Sequence, residues 1–307
     1  ESNASSYTIT VQAKDELNAT TEGNFTVSLL DDDTEDRDGD GFTDGQEKEA
    51  GTDPESNTSI PGLDYSLVAW YPFDGNASDM SGNEHHGTIN GATLGFDRHG
   101  EVNKCYSFDG INDSISATYT GSQYLFEEVS FGAWVKVKRI VGDEAIIHLG
   151  GFCLNVLGSG RGNEGGTIEF GSSNWLYPKW ASNFSNSVSV DDQIWNQIFG
   201  IYDGESILVY KNGQLIKKRS STTTKPTISF DLSIGKNKSG TRPTEGLIDE
   251  VRIYNRALLP REIFELYDLG KPNMAPSNLG SVTSLTIAEN QPVGSLLSNF
   301  NASDPDG

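Results

Sequence analysis

The residues best placed to do chemistry stand in one short run, Asp36-Arg-Asp38-Gly-Asp40-Gly41-Phe42-Thr-Asp44-Gly-Gln-Glu47. Counted from Asp36, carboxylates fall at positions 1, 3, 5, 9 and 12, with glycine at position 6. Alternate residues of a tight loop turn their oxygens inward, and a hard cation collects about six to eight of them. Gly41 permits the sharp turn, the Phe42 main-chain carbonyl supplies position 7, and Glu47 closes the shell with two oxygens. The spacing predicts a calcium site built from Asp36, Asp38, Asp40, Phe42, Asp44 and Glu47. Asp53, together with one of Asp31, Asp32 or Asp33, is a candidate for a second ion.

Other chemistry is thinner. Trp175-Leu-Tyr177-Pro-Lys-Trp180 lies in a Gly/Asn/Ser-rich stretch and follows no strand period. Exposed rings give stacking faces for a sugar or a protein, and a loop packing its aromatics locally reads the same way. Glycanases need two carboxylates flanking the scissile bond. The adjacent acids of Ile248-Asp-Glu-Val are expected to point to opposite faces of a strand instead. His85-His86, His99 and His148 show no spacing to a nucleophile or a metal partner, so no catalytic residue is expected. Cys105 and Cys153, the only two cysteines, either pair across a sandwich or stay as two buried thiols.

Charge and pattern show what must carry these residues. The formal charge is -22, which repels nucleic acid and anionic membrane surfaces. Between Asp31 and Glu55 lie 12 acidic and 2 basic residues, so -10 of that charge sits in 25 positions. Such a segment has too little apolar content to fold without help, and binding and local folding are expected as one event. No apolar run is long enough to span a membrane, and no leader or lipidation motif stands out.

Residues 1–30 read as two strands, with Ser6 to Ala13 and Asn24 to Leu30 each alternating with period two. Residues 62–270 carry short strands around Trp70, Phe108, Trp134, Tyr202 and Tyr210, with turn punctuation at Asp74-Gly75, Asp109-Gly110, Asp203-Gly204 and Asn212-Gly213. Asn212-Gly213 is a two-residue hairpin signal. A single helix is expected after Pro260, with Ile263, Leu266 and Tyr267 on one face. The pattern predicts an all-β antiparallel sandwich or jelly roll. Trp70, Trp134 and Trp195, lying in strand patterns, are expected in its core.

Two resemblances sharpen this reading. The loop and the following Glu49-Ala-Gly-Thr-Asp53-Pro are similar to a bacterial thrombospondin type-3 repeat over residues 36–54, which implies a structural calcium module between domains. The blocks WYPFDGNASDMSGNEHHG, YSFDGINDSI, SFGAWVKV, IYDGESILVYKNGQL and GLIDEVRIYNRALLPREI, in that order, resemble a laminin-G-like jelly roll of the concanavalin-A-like superfamily. That resemblance implies two antiparallel sheets and a calcium ion at one rim, held by Asp79, Asn83 and Asp249. Asp74 and Asp109 precede glycine and serve equally as turn residues.

The ends resemble parts of cadherin-like repeats, residues 1–33 the last part of one and 280–307 the first part of another. In complete repeats Asp15, Asp31 to Asp33, Glu289, Asp304 and Asp306 would help bind interdomain calcium. The expected order is thus a partial repeat at 1–33, a calcium linker at 34–60, the sandwich at 62–270, a linker at 271–279 and a partial repeat from 280. The expected role is a calcium-stabilised extracellular, cell-surface adhesion segment that binds a glycan or a cell-surface protein. Neighbouring copies of the array are further partners, since strand-rich ends have open edges. A carbohydrate-binding accessory of a secreted polysaccharide-degrading enzyme, or a purely structural stalk, are the alternatives.

Overall fold

The computed structural model describes residues 6–14, 20–28, 33–118, 127–138, 143–150, 152–157, 166–172, 189–190, 193–220, 231–237, 239–240, 242–272, 277–280 and 301–303. The chain divides into two compact units, Glu1–Tyr65 and Ser66–Gly307.

In the first unit, β1 (Ser6–Lys14) and β2 (Thr20–Ser28) form an antiparallel ladder. Period-two alternation sets its register, pairing Ile9 with Phe25 and Thr10 with Asn24, so one face is apolar and the other polar. The acidic run then turns through Gly39 and Gly41, both at positive φ, into α1 (Asp44–Ala50). Two oxygens start that helix. Thr43 Oγ1 accepts the Gln46 N–H, and Gln46 Oε1 accepts the Thr43 N–H, a reciprocal capping box. Gly51, left-handed at φ 78°, ends it.

The second unit is a sandwich of two antiparallel sheets. In one, the order is β12 (Ser189–Val190), β11 (Gly166–Ser172), β10 (Phe152–Leu157), β9 (Asp143–Leu149), β16 (Asp231–Ile234), β7 (Ser114–Thr118) and β4 (Thr88–Asn90). In the other it is β15 (Gln214–Ser220), β14 (Ser206–Lys211), β13 (Asn196–Tyr202), β8 (Val129–Val137), β17 (Glu245–Tyr254), β6 (Val102–Asp109) and β5 (Thr93–Phe96). The eighth strand of that sheet, β3 (Leu67–Tyr71), pairs with the far end of β17. A further short ladder joins β18 (Ser277–Gly280) to β19 (Asn301–Ser303), so a strand occupies part of the stretch expected as linker.

Alternation decides what lies between the sheets. Phe131, Ala133, Val135 and Val137 of β8 face Phe170, Leu154 and Ile147 of the opposite sheet in one buried apolar cluster. Truncating such a side chain costs about 2–5 kcal/mol. Gly200 is required there, because a Cβ at that position would stand 1.9 Å from the Phe170 ring.

The outer face of the eight-stranded sheet is roofed by α2 (Pro260–Gly270), which buries Ile263 and Leu266. The tryptophans correct the sequence reading here. Trp134 is buried, but on this outer face, stacked on Tyr267 at 5.7 Å rather than in the inter-sheet core. Trp70 and Trp195 are only half-buried. Strand periodicity cannot show that a helix will cover the second face, so outward aromatics read as core.

Candidate functional site

The acidic loop is held open by its own backbone. The Asp36 carboxylate accepts the N–H groups of Gly39 at 2.8 Å, Asp40 at 3.1 Å and Gly41 at 2.9 Å. Asp38 Oδ1 accepts the Asp40 N–H and Asp40 Oδ1 accepts the Phe42 N–H. These turns bring one carboxylate oxygen from each of Asp36, Asp38 and Asp40 within 4.8 Å of one another. Among the described residues no other group of three or more metal-type side chains converges so closely.

Phe42 anchors the arrangement. Its ring is buried and meets Tyr65 edge-on at 6.3 Å, while the Tyr65 hydroxyl donates to Glu49. The Asp44 N–H donates to the Glu35 carbonyl, and the Gly45 N–H to that of Asp33. Asp44 and Glu47 are thereby drawn fully inside, each 0% exposed. Arg37 sits 2.9 Å from Asp44 Oδ2, so position 9 has a protein cation beside it.

Asp38 Oδ2 and Glu47 Oε2 are buried without a hydrogen-bond partner. An orphaned buried carboxylate oxygen costs free energy unless a cation takes it. Burial raises the Glu47 carboxyl above the usual range, and the charges of Asp40 and Asp38 push the same way. All the donors are oxygen, the set that suits a hard divalent cation over zinc or copper. The residues present fit such an ion.

The remaining predicted residues fall elsewhere. Asp53 is exposed, and its Oδ1 accepts the Glu55 N–H in a turn. Asp33 pairs with Lys48 at 2.7 Å. Asp15, Asp31, Asp32, Trp175, Tyr177, Trp180, Glu289, Asp304 and Asp306 lie outside the described residues. Cys105 on β6 and Cys153 on β10 form no disulfide, and burial pushes the Cys105 thiol up to about 12.

The three rim candidates are engaged by the protein itself. Asp79 is buried and its two oxygens accept four donors, the N–H groups of Trp70, Ser81 and His85 and the Ser81 hydroxyl, each at 2.9 Å. Asn83 donates to the carbonyls of Leu67 and Val68, and the Met80 N–H to that of Trp70. The loop 79–83 thus serves β3 as a substitute neighbouring strand. Asp249 sits at a bulge where β17 exchanges β6 for β3. It pairs with Arg98, which also reaches the Gly270 carbonyl beneath α2. Burial raises the Asp249 carboxyl to about 8, against the pull of Arg98. Its neighbour Glu250, at φ 51°, accepts Trp70 Nε1 and Arg252. These two acids serve separate networks and do not form a pair over a cleft.

Sequence reasoning missed Arg98 and Arg256, and read Glu262 only as an acid in the first turn of the helix after Pro260. Arg256 and Glu262 form a buried two-pronged pair at 2.5 and 2.7 Å that fixes the start of α2. The only signal was Glu262 in the first helical turn.

Residues 108–264, half of the chain, match the family of concanavalin A-like lectins and glucanases. Residues 36–54 match the bacterial TSP3 repeat. A comparison with curated proteins finds no match. Among solved structures, the chain is similar to domain 4 of AbnA, a GH43 extracellular arabinanase from Geobacillus stearothermophilus, in complex with arabinotriose. Identity there is 21% and the TM-score 0.48, over 66% of this chain and 98% of that one. It is also similar to Trypanosoma rangeli sialidase in complex with 2,3-difluorosialic acid, at 18% identity and TM-score 0.50, over 68% of this chain and 33% of that one. The binding domain of botulinum neurotoxin DC in complex with rat synaptotagmin II matches at 13% identity and TM-score 0.49, over 71% of this chain and 55% of that one. The chain therefore spans nearly all of the arabinanase domain but about a third of the sialidase. Among the described residues no helix is long and apolar enough to cross a membrane.

Proposed function

Given that the chain belongs to the concanavalin A-like lectin and glucanase superfamily, we propose that it is a calcium-stiffened, non-catalytic binding segment of an extracellular surface protein, with the sandwich contacting glycan. The observation that carries the calcium part is the pair of orphaned buried oxygens, Asp38 Oδ2 and Glu47 Oε2, beside the Asp36–Asp38–Asp40 cluster. Asp36, Asp38, Asp40, Asp44, Glu47 and the Phe42 carbonyl would hold the ion, whose charge offsets the repulsion among the carboxylates. An acidic segment that folds around calcium suits a compartment rich in that ion, which is why the reading is extracellular.

The superfamily supports the glycan part at the level of its lectin members. The non-catalytic part rests on the acids. Asp249 and Glu250 are spent on Arg98, Trp70 and Arg252, and glycoside hydrolysis needs two carboxyl groups facing one bond. The test is a glycan array probed with the intact chain in calcium and in EDTA. Glycan capture in both conditions is expected, because the ion belongs to the acidic unit and the glycan contact to the sandwich. Capture in neither condition contradicts the binding role, and release of reducing sugar from a captured glycan contradicts the non-catalytic one.

A further inference from the structure

Position 9 of the acidic loop is held differently from positions 1, 3 and 5. The side chains of Asp36, Asp38 and Asp40 accept main-chain N–H groups of the loop and keep one oxygen each within 4.8 Å of one another. Asp44 turns both of its oxygens to residue 37 instead. Its Oδ1 accepts the Arg37 main-chain N–H at 3.2 Å, and its Oδ2 stands 2.9 Å from Arg37 Nη2. The Asp44 side chain is fully buried and that of Arg37 is 41% exposed, so a surface cation reaches in to a buried anion.

A buried carboxylate is costly without a positive neighbour, and in the fold without metal Arg37 is that neighbour. The hold is close but not tight. Asp44 Oδ2 has no aligned hydrogen bond even at 2.9 Å, so charge rather than donor geometry keeps the guanidinium there. Arg37 also has another acceptor within reach, since its Nη1 lies 3.7 Å from Oε1 of the exposed Glu55. A divalent cation on Asp44 would meet the guanidinium as a like charge, and the two would repel.

We infer that Arg37 is the loop's own competitor for calcium. It holds Asp44 in the fold without metal, gives it up when the ion binds, and turns to Glu55. Its presence therefore lowers the affinity of the loop. This role rests on the calcium reading above and belongs to a residue outside the ligand set. The bland alternative is a fixed brace that presents Asp44 to the ion, and it has the opposite sign. Removing a brace weakens binding, whereas removing a competitor strengthens it.

The test titrates the intact chain with calcium chloride by isothermal calorimetry, below the melting transition of the acidic unit in EDTA. Arg37→Gln is expected to bind calcium about tenfold more tightly, the worth of one hydrogen bond to a charged group, and to melt lower in EDTA. On an Asp44→Asn background the same change should gain about twofold or less, because the contested anion is gone. Glu55→Gln, on an exposed side chain that folding does not need, removes the second acceptor and should weaken calcium binding about twofold. Arg37→Gln that binds calcium no more tightly than the parent overturns the inference. So does an equal gain with and without Asp44, which would make Arg37 a general charge near the loop. Unchanged binding in Glu55→Gln overturns the turn to Glu55. A parent whose acidic unit shows no transition in EDTA has no pair for the ion to displace, which also overturns it. No heat from calcium in the parent overturns the calcium reading itself.

Discussion

Asp38 and Asp79 are both loop carboxylates, buried to different depths, and they meet opposite fates. Asp79 has four donors on two oxygens, all from residues 70 to 85. Asp38 and, nine residues on, Glu47 each keep an oxygen that nothing donates to. The first loop uses its acid as a brace for the edge of β3, whereas the second keeps oxygens in hand. An acid in a loop becomes a ligand where the fold leaves its lone pairs unmet, and residue type alone does not say which.

The largest effect that would break this contrast is at Asp79. Asp79→Ala strands three N–H groups, at about 1–3 kcal/mol for each that stays buried. Urea unfolding of the sandwich should show a loss of about 3 kcal/mol or more, the same in calcium and in EDTA. A loss that appears only in calcium would make Asp79 a ligand after all. Next comes the loop. Calcium at about a hundred times its Kd should stabilise the acidic unit by about 2.7 kcal/mol. Glu47→Ala and Asp38→Ala should abolish that gain in calorimetric melts and leave the sandwich transition where it was.

Much of this was legible in the residues. Positions 1, 3, 5, 6, 9 and 12 of the loop come from coordination chemistry acting over a dozen residues, so the sequence carries them whole. The strands around Trp134, Tyr202 and Tyr210, the Asn212-Gly213 turn and the helix after Pro260 are local patterns too, and the structure has each. What stayed hidden depends on partners far along the chain. Arg98 and Asp249 are 151 residues apart. The α2 roof makes Trp134 buried without placing it between the sheets. Asp79 looked like a ligand because its donors, backbone N–H groups, are present at every residue and leave no mark in the sequence.

A subtler effect concerns pH. Glu47 is raised in the fold without metal, so its protonated form is favoured there relative to the unfolded chain. That contribution is fully present below the unfolded pKa and is lost as pH rises through the folded one. In EDTA the acidic unit should therefore gain stability as pH falls from neutral towards the carboxylate range. In calcium the slope should reverse, because protons then compete with the ion. Melting temperatures across that range, read against Glu47→Gln, check both signs. The smallest effect is at Gly41, where φ is 100°. Gly41→Ala should cost about 1–2 kcal/mol in the acidic unit alone.

The most direct test is a calcium titration by isothermal calorimetry on four single variants beside the parent chain: Asp38→Ala, Glu47→Ala, Asp79→Asn and Asp249→Asn. Binding is expected in the parent, lost in the first two and kept in the last two. Binding that survives in Glu47→Ala but disappears in Asp79→Asn would move the metal centre to the rim of the sandwich and contradict the assignment to Asp36–Glu47.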